Sequence, residues 1–266
     1  MSAATRSSID KVVASADEAV ADIGDGASLA VGGFGLSGVP IVLIDALNRT
    51  SASNLSVASN NCGVDGWGLG VLLENHRISR IVASYIGENK EFARQYLGGE
   101  IEVELNPQGT LAERLRAAGT GVPAFYTPAG VGTWIAEGGL PWRYDADGNV
   151  TLSSPPKEVR EFEVQGKQIP FVLEHALSVD YGIIRAAKGD RHGNLVFNKS
   201  ARNFNPLCGM AGTVTLAEVE ELVEPGEIDP DDVHLPGIFV HRVVELTADE
   251  VARKHIEKRT VRNPSV

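Results

Sequence analysis

The sequence predicts an α/β fold: a mainly parallel sheet with helices on both faces, plus a loop-rich insertion and a β-hairpin in the second half. Three observations carry this prediction. Short apolar runs alternate four times with helical patterns between residues 28 and 118, a rhythm that calls for right-handed crossovers and parallel strands. The first run, Leu29-Ala30-Val31, is continuous rather than alternating, as a buried parallel strand requires. It opens on an Asp25-Gly26 turn and runs into Gly32, Gly33, Phe34, Gly35, Leu36, Ser37 and Gly38, after which Pro40 introduces a helical pattern. Such a strand, glycine loop and helix start bring backbone N–H groups close to a phosphate or a developing oxyanion, because glycine offers no Cβ to block the approach.

Taken in order, Ile9, Val12, Val13, Ala16, Val20 and Ile23 recur at helical spacing, with Ser7 and Ser8 as N-caps and Gly24 just past the end. A strand at 28–32 and a helix at 39–49 follow. Leu55-Ser56-Val57-Ala58 is the second strand, and 66–75 reads as a helix. The third strand is 78–84 and the fourth 101–105, with helices at 91–97 and 108–118. Residues 119–160 are rich in glycine, proline and turn signals and read as the insertion. Residues 162–173, split by Gln165-Gly166-Lys167, form a hairpin. Strands at 181–187, from 214 and at 238–244 precede a charged helix at 247–259. With no repeat and no linker, residues 1–266 read as a single domain, with a core over 8–245 and a helical tail over 246–266. In such sheets ligands sit beyond the carboxyl ends of the strands, here the loops 32–38, 59–63, 84–89 and 106–110.

Composition narrows the function classes. A formal charge of −11 argues against a nucleic-acid partner, which needs a basic face. The N-terminus holds acids and no apolar core segment, so no signal peptide is expected, and no apolar run is long enough to span a membrane. Cys62 and Cys208 match no metal spacing, and the six histidines form no i, i+4 pair, so neither a metal nor a disulfide is expected. A cytoplasmic location follows from these readings. Gly33-Phe34-Gly35-Leu36-Ser37-Gly38 fits the dinucleotide fingerprint, but the ribose-binding acid it needs is replaced by Ser59-Asn60-Asn61. A nicotinamide cofactor is therefore not expected, and no P-loop is present.

The wider motifs resemble family I coenzyme A transferases, α-subunit side. They are Asp25-Gly26 to Pro40, Ser59-Asn60-Asn61-Cys62-Gly63-Val64-Asp65, Ser84-Tyr85-Ile86-Gly87-Glu88-Asn89, Glu102-Val103-Glu104-Leu105-Asn106-Pro107-Gln108-Gly109-Thr110-Leu111-Ala112-Glu113-Arg114, Pro123-Ala124-Phe125-Tyr126-Thr127, Lys188-Gly189-Asp190-Arg191, Gly193-Asn194-Leu195-Val196-Phe197 and Ala201-Arg202-Asn203-Phe204-Asn205. Gly87-Glu88-Asn89 and the residues from Glu91-Phe92 to Leu97 look most like the succinyl-CoA:3-oxoacid subgroup. Departures from the family pattern stand at Ile41-Val42, at Glu174-His175 and within 162–170, and bear on the acceptor acid more than on the reaction class.

The resemblance implies ping-pong transfer of CoA from succinyl-CoA to a 3-oxo acid such as acetoacetate. It implies a glutamate nucleophile in a Ser-Glu-Asn-Gly segment of a separate β subunit, in an α2β2 assembly, with the CoA thioester as substrate and no cofactor. That segment is missing here: Glu88 and Glu74 are the nearest candidates, and neither matches. It also implies that Gln108, at a strand end on the ligand-facing edge, orients the glutamate or the thioester oxygen, where the plainer reading is a helix N-terminal cap. Asn60 and Asn61 can present amides to a substrate carboxylate or simply form a turn. Residues 32–38 shape the CoA and acyl pocket. Lys188, Arg191, Lys199 and Arg202 read as a solvated or salt-bridged face. The alternatives are a 3-oxoadipate or acetate transferase, a related hydrolase using water as acceptor, and a non-catalytic acyl-CoA-binding module.

Overall fold

The computed structural model describes residues 9–87 and 89–254. Residues 11–13 are extended, not helical. Val12 bridges Val243 in parallel, the Val13 N–H donates to the Val243 carbonyl (3.0 Å), and the Val243 N–H donates to the Lys11 carbonyl (2.8 Å). Pairing at the sheet edge thus claims the backbone that the apolar spacing assigned to a long helix. Helix α1 covers only Ala16–Val20, beginning where Ser15 Oγ accepts the Glu18 N–H. The expected caps Ser7 and Ser8 lie outside the described residues.

Four strand–helix units follow as expected: β1 (Ser28–Val31) and α2 (Ile41–Arg49), β2 (Leu55–Ala58) and α3 (Gly70–Glu74), β3 (Ile78–Ala83) and α4 (Lys90–Leu97), β4 (Glu102–Leu105) and α5 (Gln108–Gly119). Helix α3 is shorter than its apolar run because Val64 and Trp67 exchange backbone hydrogen bonds in a turn before it. The insertion is more ordered than its composition suggested. It holds β5 (Ala124–Thr127), α6 (Trp134–Glu137), β6 (Pro141–Tyr144) and β7 (Val150–Ser153). Strand β7 is exposed along its whole length, and its alternation of Val150 and Leu152 with Thr151 and Ser153 is only four residues long.

The hairpin β8 (Val159–Val164) and β9 (Lys167–His175) turns at Gln165 and Gly166, both at positive φ, and β5 adds to β9. Then come β10 (Val179–Ala186), β11 (Lys188–Asp190), β12 (Leu195–Val196), α7 (Asn205–Ala211), β13 (Gly212–Val219), β14 (Leu222–Val223), β15 (Arg242–Glu245) and α8 (Ala248–Ala252). Helix α7 was not anticipated. Its Pro206 sits in the first turn, where the missing N–H has no partner to lose. The late strand starts only at Arg242, because residues 237–239 form a short 3-10 turn that leaves Ile238 82% exposed. Of the expected terminal helix, 248–252 is seen, and 255–259 lies outside the described residues.

Seven strands build the main sheet in the order β15-β13-β10-β1-β2-β3-β4, and each pair is parallel. Its two faces bury separate cores. Leu29, Val57, Ile81 and Leu216 pack with α1 to α4, whereas Ala30, Ala58, Val82 and Ala217 pack with Leu111 and Leu115 of α5 and Cys208 of α7. Alternate residues of one strand therefore face opposite helix layers, as a doubly covered parallel sheet demands. Because β1 to β4 are neighbours in sequence order, their four carboxyl ends stand side by side on one edge.

Candidate functional site at the carboxyl edge of the sheet

The glycine loop leaves β1 through a tight turn in which Phe34 and Ser37 exchange backbone hydrogen bonds (both 3.0 Å). Gly33 and Gly38 both sit at positive φ. A Cβ on Gly38 would collide with the Ala201 carbonyl and the Asn205 amide, so only glycine lets this loop lie against the chain at 201–205. Three contacts fasten it there. The Asn203 side chain donates to the Ser37 carbonyl (3.1 Å), the Asn205 side chain donates to the Gly38 carbonyl (2.9 Å), and Phe34 stacks on Phe204 with ring centres 6.5 Å apart.

The neighbouring loop after β2 meets it from the other side. Ser59 Oγ donates to the Val31 carbonyl (2.8 Å), and the Gly35 N–H points at Asn60 Oδ1 over a long 3.5 Å. Asn60 is buried with its side-chain oxygen toward the glycine loop, whereas Asn61 is half-exposed and lines a small hollow with Gly32, Gly33, Gly35 and Gly63. The asparagine pair thus divides: Asn60 supports the loop and Asn61 faces the opening. The next loop is tied in by Asn89, whose side chain caps α4 at Phe92 (2.8 Å) and donates to the Cys62 carbonyl (2.9 Å). Burial pushes the Cys62 thiol well above its ordinary range, which leaves it a packing residue rather than a nucleophile. Glu88 lies outside the described residues.

Gln108 stands apart from this pair of loops. It is exposed at the first position of α5, on the same edge but two strands further along. Helix α5 has no side-chain cap and no acid in its first turn, so the capping alternative for Gln108 is not what this fold adopts. Behind it, burial would raise the Glu104 carboxyl, but Arg114, Asn106 and Arg80 together hold it below the usual range. Arg114 reaches Glu104 at 2.6 Å and Asn106 at 2.7 Å, which fixes the β4–α5 connection that carries Gln108. Among the basic residues, Lys188 pairs with Glu221 (3.1 Å) and Arg191 with Asp10 (3.4 Å), while Lys199 and Arg202 are exposed beside the glycine loop.

Two contributors escaped sequence reasoning. Asn205, fully buried, ties the loop to β10 by accepting the Arg185 N–H (3.0 Å), and Glu218 of β13 reaches the start of α2. Only a polar residue inside an apolar run (Glu218 after Leu216-Ala217) signals such a role.

A family model described as coenzyme A transferase matches residues 13–246. The chain belongs to the coenzyme A transferase family. Among its relatives, a Mycobacterium tuberculosis protein named as the A subunit of a probable succinyl-CoA:3-ketoacid coenzyme A transferase is 61% identical over 254 residues, covering 96% of this chain and 100% of that one. The corresponding proteins of Xanthomonas campestris (55% identical, 90% of this chain and 89% of theirs) and Helicobacter pylori (51%, 96% and 99%) bear the same name without the word "probable". Among solved structures, an Escherichia coli acyl-CoA transferase superposes with a TM-score of 0.72 at 23% identity. The match takes in 91% of this chain but only 48% of that one, so this transferase chain spans about half of it. Glutaconate coenzyme A-transferase of Acidaminococcus fermentans gives 0.69 at 21% identity, over 88% of this chain and 75% of its own. Those two share the fold.

Proposed function

We propose that this chain is the α half of a succinyl-CoA:3-oxoacid CoA-transferase, whose nucleophile arrives on a separate β chain. One observation carries the reading. The carboxyl-edge loops at 32–38, 59–63 and 106–110 offer amides, hydroxyls and backbone N–H groups and hold no carboxylate, and the one acid of the loop at 84–89, Glu88, stands in Gly87-Glu88-Asn89 rather than in a Ser-Glu-Asn-Gly segment. They are equipped to receive an oxyanion, not to attack a thioester. The hollow between the first two loops holds about 10 Å³, room for roughly one water molecule, so a second surface is needed to enclose a substrate. The names of the relatives at 51% to 61% identity, each one subunit of a transferase, agree with this.

In the proposed cycle the partner's glutamate attacks the succinyl-CoA carbonyl. A mixed anhydride forms and CoA thiolate leaves. The thiolate then attacks the glutamyl carbonyl, releasing succinate and leaving an enzyme–CoA thioester. The carboxylate of the 3-oxo acid attacks that thioester, and the expelled thiolate takes the acyl group from the second anhydride, restoring the glutamate. Gln108 donates to the developing oxyanion or orients the glutamate, Asn61 meets the substrate carboxylate, and residues 32–38 form one wall of the acyl and CoA pocket. No cofactor beyond the CoA thioester enters, and the assembly is α2β2.

Co-expression with the partner β chain and assay of succinyl-CoA with acetoacetate tests this. Exchange is expected from the pair and from neither chain alone. Activity of this chain by itself overturns the half-site reading, and CoA release without an acceptor acid identifies a hydrolase instead.

A further inference from the structure

We infer that Glu218 is a positioning residue for the glycine loop: from a distant strand it supplies the N-terminal cap that α2 cannot provide for itself. Helix α2 begins directly after the loop, and its own cap position is Pro40, with no side-chain acceptor and no acid in the first turn. A helix start leaves its first N–H groups without intrahelical partners. Here Glu218 Oε2 accepts the Leu43 N–H at 2.9 Å, inside the protein and 175 residues away in sequence.

The carboxylate is locked from behind. Glu218 is 0% and Arg185 3% exposed, and Arg185 Nη1 donates to Glu218 Oε1 at 3.2 Å. The remaining guanidinium N–H groups go to Glu220 Oε1 (3.1 and 3.0 Å) and the Val251 carbonyl (3.3 Å), and Lys254 closes the cluster on Glu220 Oε2 (2.7 Å). Arg185 also joins this cap to the loop itself. Its backbone N–H donates to Asn205 Oδ1, and the Asn205 amide holds the Gly38 carbonyl. The two ends of the segment 38–43 are therefore gripped by one residue pair and its neighbour. Burying such a pair seldom adds stability over apolar packing, and burial pushes the Glu218 carboxyl up to about 7 despite Arg185 and the N–H groups of Leu43 and Val42. What the arrangement gives is a fixed direction for the loop, the quantity an oxyanion-binding wall depends on.

This inference uses the transferase reading for the loop's task, but its first test does not. Residue-resolved amide exchange on the assembled wild-type protein reads the Leu43 N–H, which an uncapped first turn leaves unprotected. Protection at least 100-fold over the free amide is expected, and fast exchange overturns the cap. The second test is Glu218→Asp, which keeps the charge beside Arg185 but withdraws the oxygen by one methylene. Exchange across 33–44 is expected to quicken at least tenfold, and kcat of the assembled αβ enzyme to fall at least tenfold, with KM for the 3-oxo acid within twofold. Adding Pro40→Ser, whose hydroxyl can accept the same Leu43 N–H, is expected to recover part of both losses. A folded Glu218→Asp enzyme with wild-type exchange and wild-type kcat overturns the inference.

Discussion

Among the described residues, nothing requires Gly109 to be glycine. It occupies the second position of α5, is exposed, has no positive φ, and a Cβ added there meets nothing within 4 Å. A glycine in a helix is less favourable than alanine by about 0.5–1 kcal/mol, partly through the freedom it adds to the unfolded chain. Gly109→Ala is therefore expected to stabilise the isolated chain by about 0.5 kcal/mol, the lower end because the first turn is only partly constrained. In a domain of this size that is a rise of roughly 1–2 °C in Tm. The proposed site predicts the opposite for activity. If a thioester or the partner's glutamate approaches the backbone beside Gln108, a methyl group there displaces it, and a displacement of about 1 Å can cost 10²-fold in rate. The assay is thermal unfolding of the chain alone beside kcat/KM of the αβ pair. A variant that gains stability and keeps kcat/KM within twofold refutes the placement of the reacting atoms at this helix start.

Gln108→Ala should lower kcat by about 10²–10³, the usual consequence of removing one oxyanion donor, with Tm unchanged within about 1 °C because the side chain caps nothing. Gly32→Ala should destabilise by about 3–5 kcal/mol in urea unfolding. The added Cβ lands on the Asn205 amide and forces overpacking or loss of its buried hydrogen bonds, whereas Gly24→Ala, in open space, should stay within about 0.5 kcal/mol. Glu218 sets a pH signature. With its carboxyl raised from the ordinary 4.5 to about 7, the folded state binds a proton that the unfolded state has released. Its contribution is thus full below about 4.5 and is lost as pH rises through 7, a change of about 3 kcal/mol that Glu218→Gln should remove from the stability-against-pH curve.

Elements whose signals are local were legible in the sequence. Leu55–Ala58 declares itself as a short apolar run ahead of a turn, and Gln108–Gly119 as a helix that buries Leu111 and Leu115 at helical spacing. The N-terminal segment marks where that logic stops. Val12 and Val13 keep helical spacing with Ala16, but the partner that decides their conformation is Val243, far away in sequence. Strand β7 alternates Val150 and Leu152 with Thr151 and Ser153, but only over four residues and with no buried face. The same division runs through the site. The four loops could be placed because a parallel sheet puts strand ends on one edge. That Asn60 turns inward while Asn61 faces the opening, and that Asn205 and Glu218 hold the glycine loop, depends on contacts across the fold.

That division also explains why the fold alone cannot name the chemistry. One set of layers can carry unrelated reactions, so the chemistry is decided at the site and not by the layers. On the proposed reading, the carboxyl edge of this sheet presents donors: Gln108 at a helix start without a side-chain cap, and Asn61 at the opening beside the glycine loop. Donors of this kind stabilise negative charge on any carbonyl brought against them, whichever bond then breaks. On the proposed reading the specificity of bond-breaking enters with the second chain. Exchanging the partner β chain should then change the reaction more than any single substitution on this edge, while Gln108→Ala should slow every reaction the assembled pairs perform.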